Sequence, residues 1–95
     1  MNGFEWDEAK NRLNQRKHGI SFQEAATIFE GPVLTLEDPG AHNEVREQSL
    51  GLLNGMVVIL VIHTDRHDTR RIISARRATP NERKRFHAYL EKAAG

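Results

Sequence analysis

The spacing of apolar positions changes character along this chain. Between Asp7 and His18 they are sparse. Ala9 and Leu13 fall four apart on the expected inner side of a first helix, with Asp7 as its N-cap and Gly19 as its left-handed end. Ser21 and Glu24 have the spacing of a capping box. Phe22, Ala25, Ala26 and Phe29 follow at i, i+3, i+4 and i+7, the stripe of a second amphipathic helix that Gly31-Pro32 stops.

Beyond this point the pattern shortens to that of strands. Residues 33–36 form a short strand candidate, and 37–43 a polar loop with a Pro39-Gly40 turn signal. Residues 45–53 and 56–64 flank Asn54-Gly55, a strong hairpin signal. Residues 56–62 are apolar at every position, which suits a central strand covered on both faces. Residues 65–69 turn the chain and 70–77 supply the last strand. Thr79, Pro80 and Glu82 then combine a cap, a first-turn proline and a reciprocal acid. Phe86, Tyr89, Leu90 and Ala93 carry the apolar stripe of a final helix. The expected fold is α+β: two N-terminal helices, a four-stranded mostly antiparallel sheet and a C-terminal helix. No repeat or long linker divides the 95 residues, so residues 1–95 are expected to form one domain.

Composition narrows the chemistry. With no cysteine, disulfides and thiolate metal sites are excluded. The start of the chain is acidic where a signal peptide is basic and then apolar, and the longest apolar run is too short to span a bilayer. A cytoplasmic protein with no membrane partner is expected. The net charge of +1 conceals a partition. Residues 66–87 carry eight Lys/Arg against Asp68 and Glu82, and residues 24–47 carry six acids against Arg46. Such sorting bears on partners more than on fold.

Several basic groups can be placed. A two-residue Asn54-Gly55 loop sets Arg46 opposite His63, and a five-residue turn at 65–69 adds Arg71 to the same row. That row is either an anion-binding cluster or a solvated polar rim. Arg76 and Arg77 end the last strand beside a helix N-terminus, which with guanidinium forks makes a phosphate cradle. Arg83, Lys84 and Arg85 lie in the first turns of that helix, where cations oppose its dipole. They either extend into water or meet an anion or acidic partner.

Familiar catalytic apparatus is absent from the sequence. His63 and His67 straddle a strand end and turn, without metal-ligand spacing, and neither Ser21 nor Ser74 sits in a nucleophile-elbow motif. There is no glycine-rich phosphate loop, and no metal or cofactor is expected. RNA backbone cleavage needs less, because the 2′-hydroxyl can attack the adjacent phosphate. The protein must move two protons and stabilise charge on phosphorus. Arginines suit the second task; His18, His63, Lys10 and Lys17 are available for the first. His18 ends a helix, which favours its protonated form, either for chemistry or simply as a helix-ending cation.

Several stretches together resemble one family. Phe4-Glu5-Trp6-Asp7 with Lys10, then residues 14–22 (NQRKHGISF) with Ala25, are similar to the opening of the BrnT toxins. Residues 71–78 (RIISARRA) followed by Glu82-Arg83 are similar to their closing signature, and Arg46 with Gly51 fits the middle. The resemblance implies a RelE-like fold and the toxin of a type II toxin–antitoxin system. It also implies a metal-independent endoribonuclease that blocks translation. Neutralisation by a BrnA-type antitoxin would follow, with operator DNA bound only through the toxin–antitoxin complex, as a dimer of heterodimers. Carried onto motif positions, it points to Lys10, Lys17, His18, Arg46, Arg71 and Arg76 as catalytic. Arg77, Arg83 and Lys84 would bind RNA, with His63 added on geometric grounds alone. Where relatives often have tyrosine this chain has Phe86, whose helical spacing fits core packing; Arg77 replaces a frequent lysine and keeps its charge. The competing readings are a non-catalytic nucleic-acid-binding module and a domain that only holds its antitoxin.

Overall fold

A computed structural model describes residues 3–38, 40 and 45–94. The chain runs β1 (Gly3–Glu5), α1 (Glu8–His18), α2 (Phe22–Ala26), a 3-10 turn (Thr27–Glu30), β2 (Leu34–Glu37), β3 (Glu47–Leu53), β4 (Val57–Arg66), β5 (Thr69–Arg77) and α3 (Pro80–Ala94). The α+β order matches expectation, and the sheet gains a fifth strand. Residues 3–5 pair in parallel with the start of β5, giving the order β1-β5-β4-β3-β2. Three residues carry too little periodicity to be read as a strand in isolation. The expected polar loop at 37–43 lies mostly outside the described residues.

The helix ends follow local chemistry. The Asp7 carboxylate accepts from Lys10 N–H, Gly19 closes α1 at φ 72°, and Ser21 and Glu24 make a reciprocal capping box. Thr79 and Glu82 repeat that exchange at α3. The inner face of α1 overturns expectation. Leu13 is 56% exposed and Ala9 is exposed, while Asn11 and Asn14 are buried. Amide hydrogen bonds therefore dock this helix in place of an apolar stripe. Asn11 Oδ1 accepts from Phe22 N–H at the start of α2, and its Nδ2 donates to Glu8 and Gln23.

β4 has a core on each face, as its continuous apolar run predicts. Ile59 and Val61 meet Phe22, Ala25, Ile28, Ile72 and Ala75 under α2 and the 3-10 turn. Val58 and Leu60 meet Leu50 and Phe86 under α3. Phe86 is fully buried, so packing is its role.

The hairpin register differs by one residue from the two-residue reading. Asn54 and Gly55 adopt φ of 55° and 69°, and Met56 N–H closes on Leu53 O at 3.1 Å. The first paired residue, however, is Val57, opposite Leu53. Met56 is thus an extra loop residue, and a one-residue slip changes every cross-strand neighbour. Glu47, not Arg46, faces His63. The next turn is short, with Arg66 paired to Thr69 and His67 at φ 54°. Together with an irregularity at Ile62/His63, this sets Ile72 opposite His63 and Arg71 opposite Thr64. The Arg46–His63–Arg71 row does not form.

Gly51 marks the closest approach of the 3-10 turn to the sheet. A Cβ there would lie 2.9 Å from Ile28 Cβ and 3.2 Å from Val33 Cγ1. Gly51→Ala is expected to destabilise the fold by about 1–3 kcal/mol through overpacking. Urea unfolding of the two proteins measures this; equal midpoints would show that the 3-10 turn gives way freely.

Candidate functional site

Lys10, Lys17 and His18 of α1 line a groove against β5, while Arg12 and Arg16 lie on another face of the helix. One cavity of about 410 Å³ is lined by Lys10, Leu13, Asn14, Lys17, His18 and Ser74. Lys10, Lys17 and His18 share a helix face with Asn14 because they lie four, three and four residues from it. Ser74 enters from β5, opposite Ile62. This lining offers two ammonium groups, an imidazole and a hydroxyl, with no carboxylate. Leu13 adds an exposed apolar wall, and Asn14 anchors the floor. Sequence reasoning found Lys10, Lys17 and His18 and missed Leu13, Asn14 and Ser74. Leu13 has the spacing of the expected inner side of α1, and a lone asparagine or serine carries no spacing signal.

The arginines are distributed differently from expectation. Arg76 follows Ser74 by two residues and so faces the same side of the strand. Its guanidinium makes a two-point pair with Glu82 at 2.8 and 3.0 Å. That pairing and two hydrogen bonds from Thr79 hold the Glu82 carboxyl down at about 2, so it stays ionised. Glu82 also accepts from Thr79 N–H, so the α3 N-terminus and Arg76 already share an internal anion. The expected open cradle is filled by the chain's own carboxylate. Arg77 is exposed, Arg83 donates to Ala78 O, and Lys84 is exposed. Arg71 pairs with Glu5 of β1 at 2.8 Å. Arg46 precedes β3, its carbonyl accepts from Asp38 N–H, and its buried Nε has no partner among the described residues. It sits at the β2–β3 side of the sheet, away from β5.

His63 is a correction of a different kind: it is fully buried and presents nothing to RNA. Its Nδ1 lies 3.0 Å from Asp65 Oδ1, and its Nε2 lies 2.7 Å from Ser49 Oγ. The carboxylate selects the Nδ1–H tautomer, so Nε2 accepts from Ser49, which in turn can accept from Thr35 Oγ1 at 2.7 Å. The order resembles a Ser-His-Asp triad. Ser49 is also fully buried, so no substrate reaches its hydroxyl. Arg70 completes the chain, gripping both Asp65 oxygens at 2.8 Å while its guanidinium lies 4.2 Å over the Phe29 ring. Among the described residues, Glu47, His63 and Asp65 have ligand atoms within 4.8 Å of one another and are the group that could hold a metal. Both His63 nitrogens and both Asp65 oxygens are already spent on protein partners.

Burial, and then the nearby Arg70 cation, lower the His63 pKa against the opposing pull of Asp65. Burial and the adjacent Asp65 raise that of Glu47.

The described residues thus form a small α+β domain with a cationic groove beside α1. The comparisons make this specific. Residues 6–82 match the model of the family described as "Ribonuclease toxin, BrnT, of type II toxin-antitoxin system", and the chain belongs to that family. Among solved structures it is similar to the Brucella abortus ribonuclease toxin BrnT, determined at 1.1 Å. The two share 26% identity at a TM-score of 0.63, over 83% of this chain and 99% of that one. No curated protein matches it. Among the described residues no helix is long and apolar enough to cross a membrane.

The buried histidine predicts a pH dependence. Because the folded pKa lies below the unfolded value near 6.5, the unfolded chain takes up the proton first. This contribution is full above the unfolded pKa and is lost as pH falls toward the folded one. Glu47 acts oppositely, since the native state protonates it first. Unfolding free energy should therefore fall by up to about 0.8 kcal/mol between about pH 7.5 and 6, before carboxylates intervene. Urea titrations at the two values check this, and stability that rises as pH falls would mean that the fold favours a charged His63.

Proposed function

We propose that this chain cleaves RNA without a metal, at the groove between α1 and β5, by attack of a 2′-hydroxyl on the neighbouring phosphate. The observation that carries the reading is the convergence of Lys10, Lys17 and His18 with Ser74 on one cavity. Two ammonium groups suit a phosphate whose charge grows in the transition state, and they are present without neighbouring carboxylates to neutralise them. His18, in the last turn of α1 beside Gly19, is positioned to give or take a proton. A divalent cation would seek carboxylate oxygens, and this lining offers none.

The arginines take secondary places in this reading. Arg76 lies next to Ser74 along β5 and supports the phosphate path, with its charge partly answered by Glu82. Arg77, Arg83 and Lys84 extend the cationic surface toward α3. Arg71 and Arg46 act at greater remove, as contacts for flanking nucleotides or for the partner. His63 is a structural residue. The neutralising partner is an antitoxin of the BrnA type acting in the cytoplasm, and operator DNA is reached only through that complex, as a dimer of heterodimers. One domain carries all of these functions.

The test is cleavage of single-stranded RNA in EDTA, with the end groups read and Lys17→Ala and Arg76→Ala alongside. Cyclic-phosphate or 3′-phosphate ends are expected from the parent protein. Lys17→Ala should lose about 10–1,000-fold in rate, and Arg76→Ala less, because Glu82 already engages it. Cleavage that vanishes in EDTA would overturn the metal-free mechanism. Salt-sensitive RNA retention without cutting would instead describe a binding module.

A further inference from the structure

α1 reaches the sheet through one polar side chain. Asn14 Nδ2 donates to Ala75 O at 2.9 Å, and Asn14 Oδ1 accepts from Ala75 N–H at 3.2 Å. The amide thus pairs with a β5 residue through both backbone groups, as a neighbouring strand would. β1 supplies that pairing only for residues 69–71. The second Nδ2 hydrogen goes to Ile20 O at 2.9 Å, tying in the α1–α2 connection. Asn14 is 7% exposed and stands between Lys10 on one side and Lys17 and His18 on the other. Ser74, which shares their groove, is bonded directly to the residue that Asn14 grips.

We infer that Asn14 is the positioning residue of this site, setting the distance and rotation of the Lys10–Lys17–His18 face relative to β5. The inference rests on the reading of the groove as a ribonuclease site. No apolar stripe shares the task, since Leu13 and Ala9 point outward. A buried amide locked by three hydrogen bonds fixes geometry more tightly than interchangeable hydrophobic contacts. Placement within about 1 Å is what phosphoryl chemistry demands of its proton-transfer groups.

Asn14→Gln keeps the amide and lengthens its reach by about 1.5 Å. Asn14→Asp keeps the length and the acceptor for Ala75 N–H while removing both donors. Asn11→Ala serves as the control, because Asn11 is equally buried and docks α2 without lining the groove. The readouts are thermal midpoint, the dissociation constant for a 2′-O-methyl RNA by fluorescence anisotropy, and single-turnover cleavage of the matching 2′-hydroxyl RNA. The expected result for a folded Asn14 variant is RNA affinity within about threefold of the parent and cleavage about 10–100-fold slower. Asn11→Ala should lose stability while cutting at the parent rate. A folded Asn14 variant that cuts normally, or an Asn11→Ala protein that loses cleavage equally, would overturn the positioning role. A parent protein that binds the RNA and does not cut it would overturn the ribonuclease reading of the groove, and the inference falls with it.

Discussion

The paired hydrogen bonds between the Asn14 amide and Ala75 are the constraint on which the arrangement of this protein turns. A sheet edge cannot be left open beside a helix without stranding backbone polar groups, and β1 is too short to cover all of β5. One asparagine side chain extends the pairing to Ala75. In doing so it brings a strongly cationic helix against the strand that carries Ser74 and Arg76. Structural satisfaction and the assembly of the site are the same event here. That explains why the inner face of α1 is polar although the helix is docked against the fold.

The opposite part of the sheet shows how easily chemistry-bearing residues can be structural. Thr35, Ser49, His63, Asp65 and Arg70 form a continuous chain of polar contacts that ends over the Phe29 ring. Its members have the identities of a hydrolase triad, yet its serine and histidine have no exposed surface. Their hydrogen bonds satisfy polar groups placed where β3 and β4 would otherwise present apolar residues, and Phe29 packs edge-on against the imidazole at 5.2 Å. Burial separates this network from the α1 groove, where the cations face open space.

The charge partition is likewise divided by the fold. Arg70, Arg71 and Arg76 are each matched by an acid, namely Asp65, Glu5 and Glu82. Exposed pairs of this kind add little stability individually. Their effect here is to orient side chains and reduce the free positive charge along β5. The cations left facing the groove come from α1, and not from the arginine-rich segment that follows β4.

Local chemistry legible in the sequence includes the caps at Asp7, Gly19, Ser21 and Thr79, the central strand covered on both faces, and the Asn54-Gly55 turn. Each depends on residues within a few positions of one another, so each survives without knowledge of the tertiary structure. The family motifs also include Lys10, Lys17 and His18, which line the groove beside β5. Register was not legible, because one extra loop residue at Met56 and an irregularity at Ile62/His63 exchange every neighbour without altering the hydrophobic pattern. Nor was the inner face of α1, since a side-chain amide that pairs with a distant strand leaves no periodic trace. The sequence by itself determined the elements, their order and the supply of cationic groups. Only the tertiary structure decided which of those groups share a groove and which are neutralised or buried, because that follows from pairings between residues such as Asn14 and Ala75, far apart along the chain.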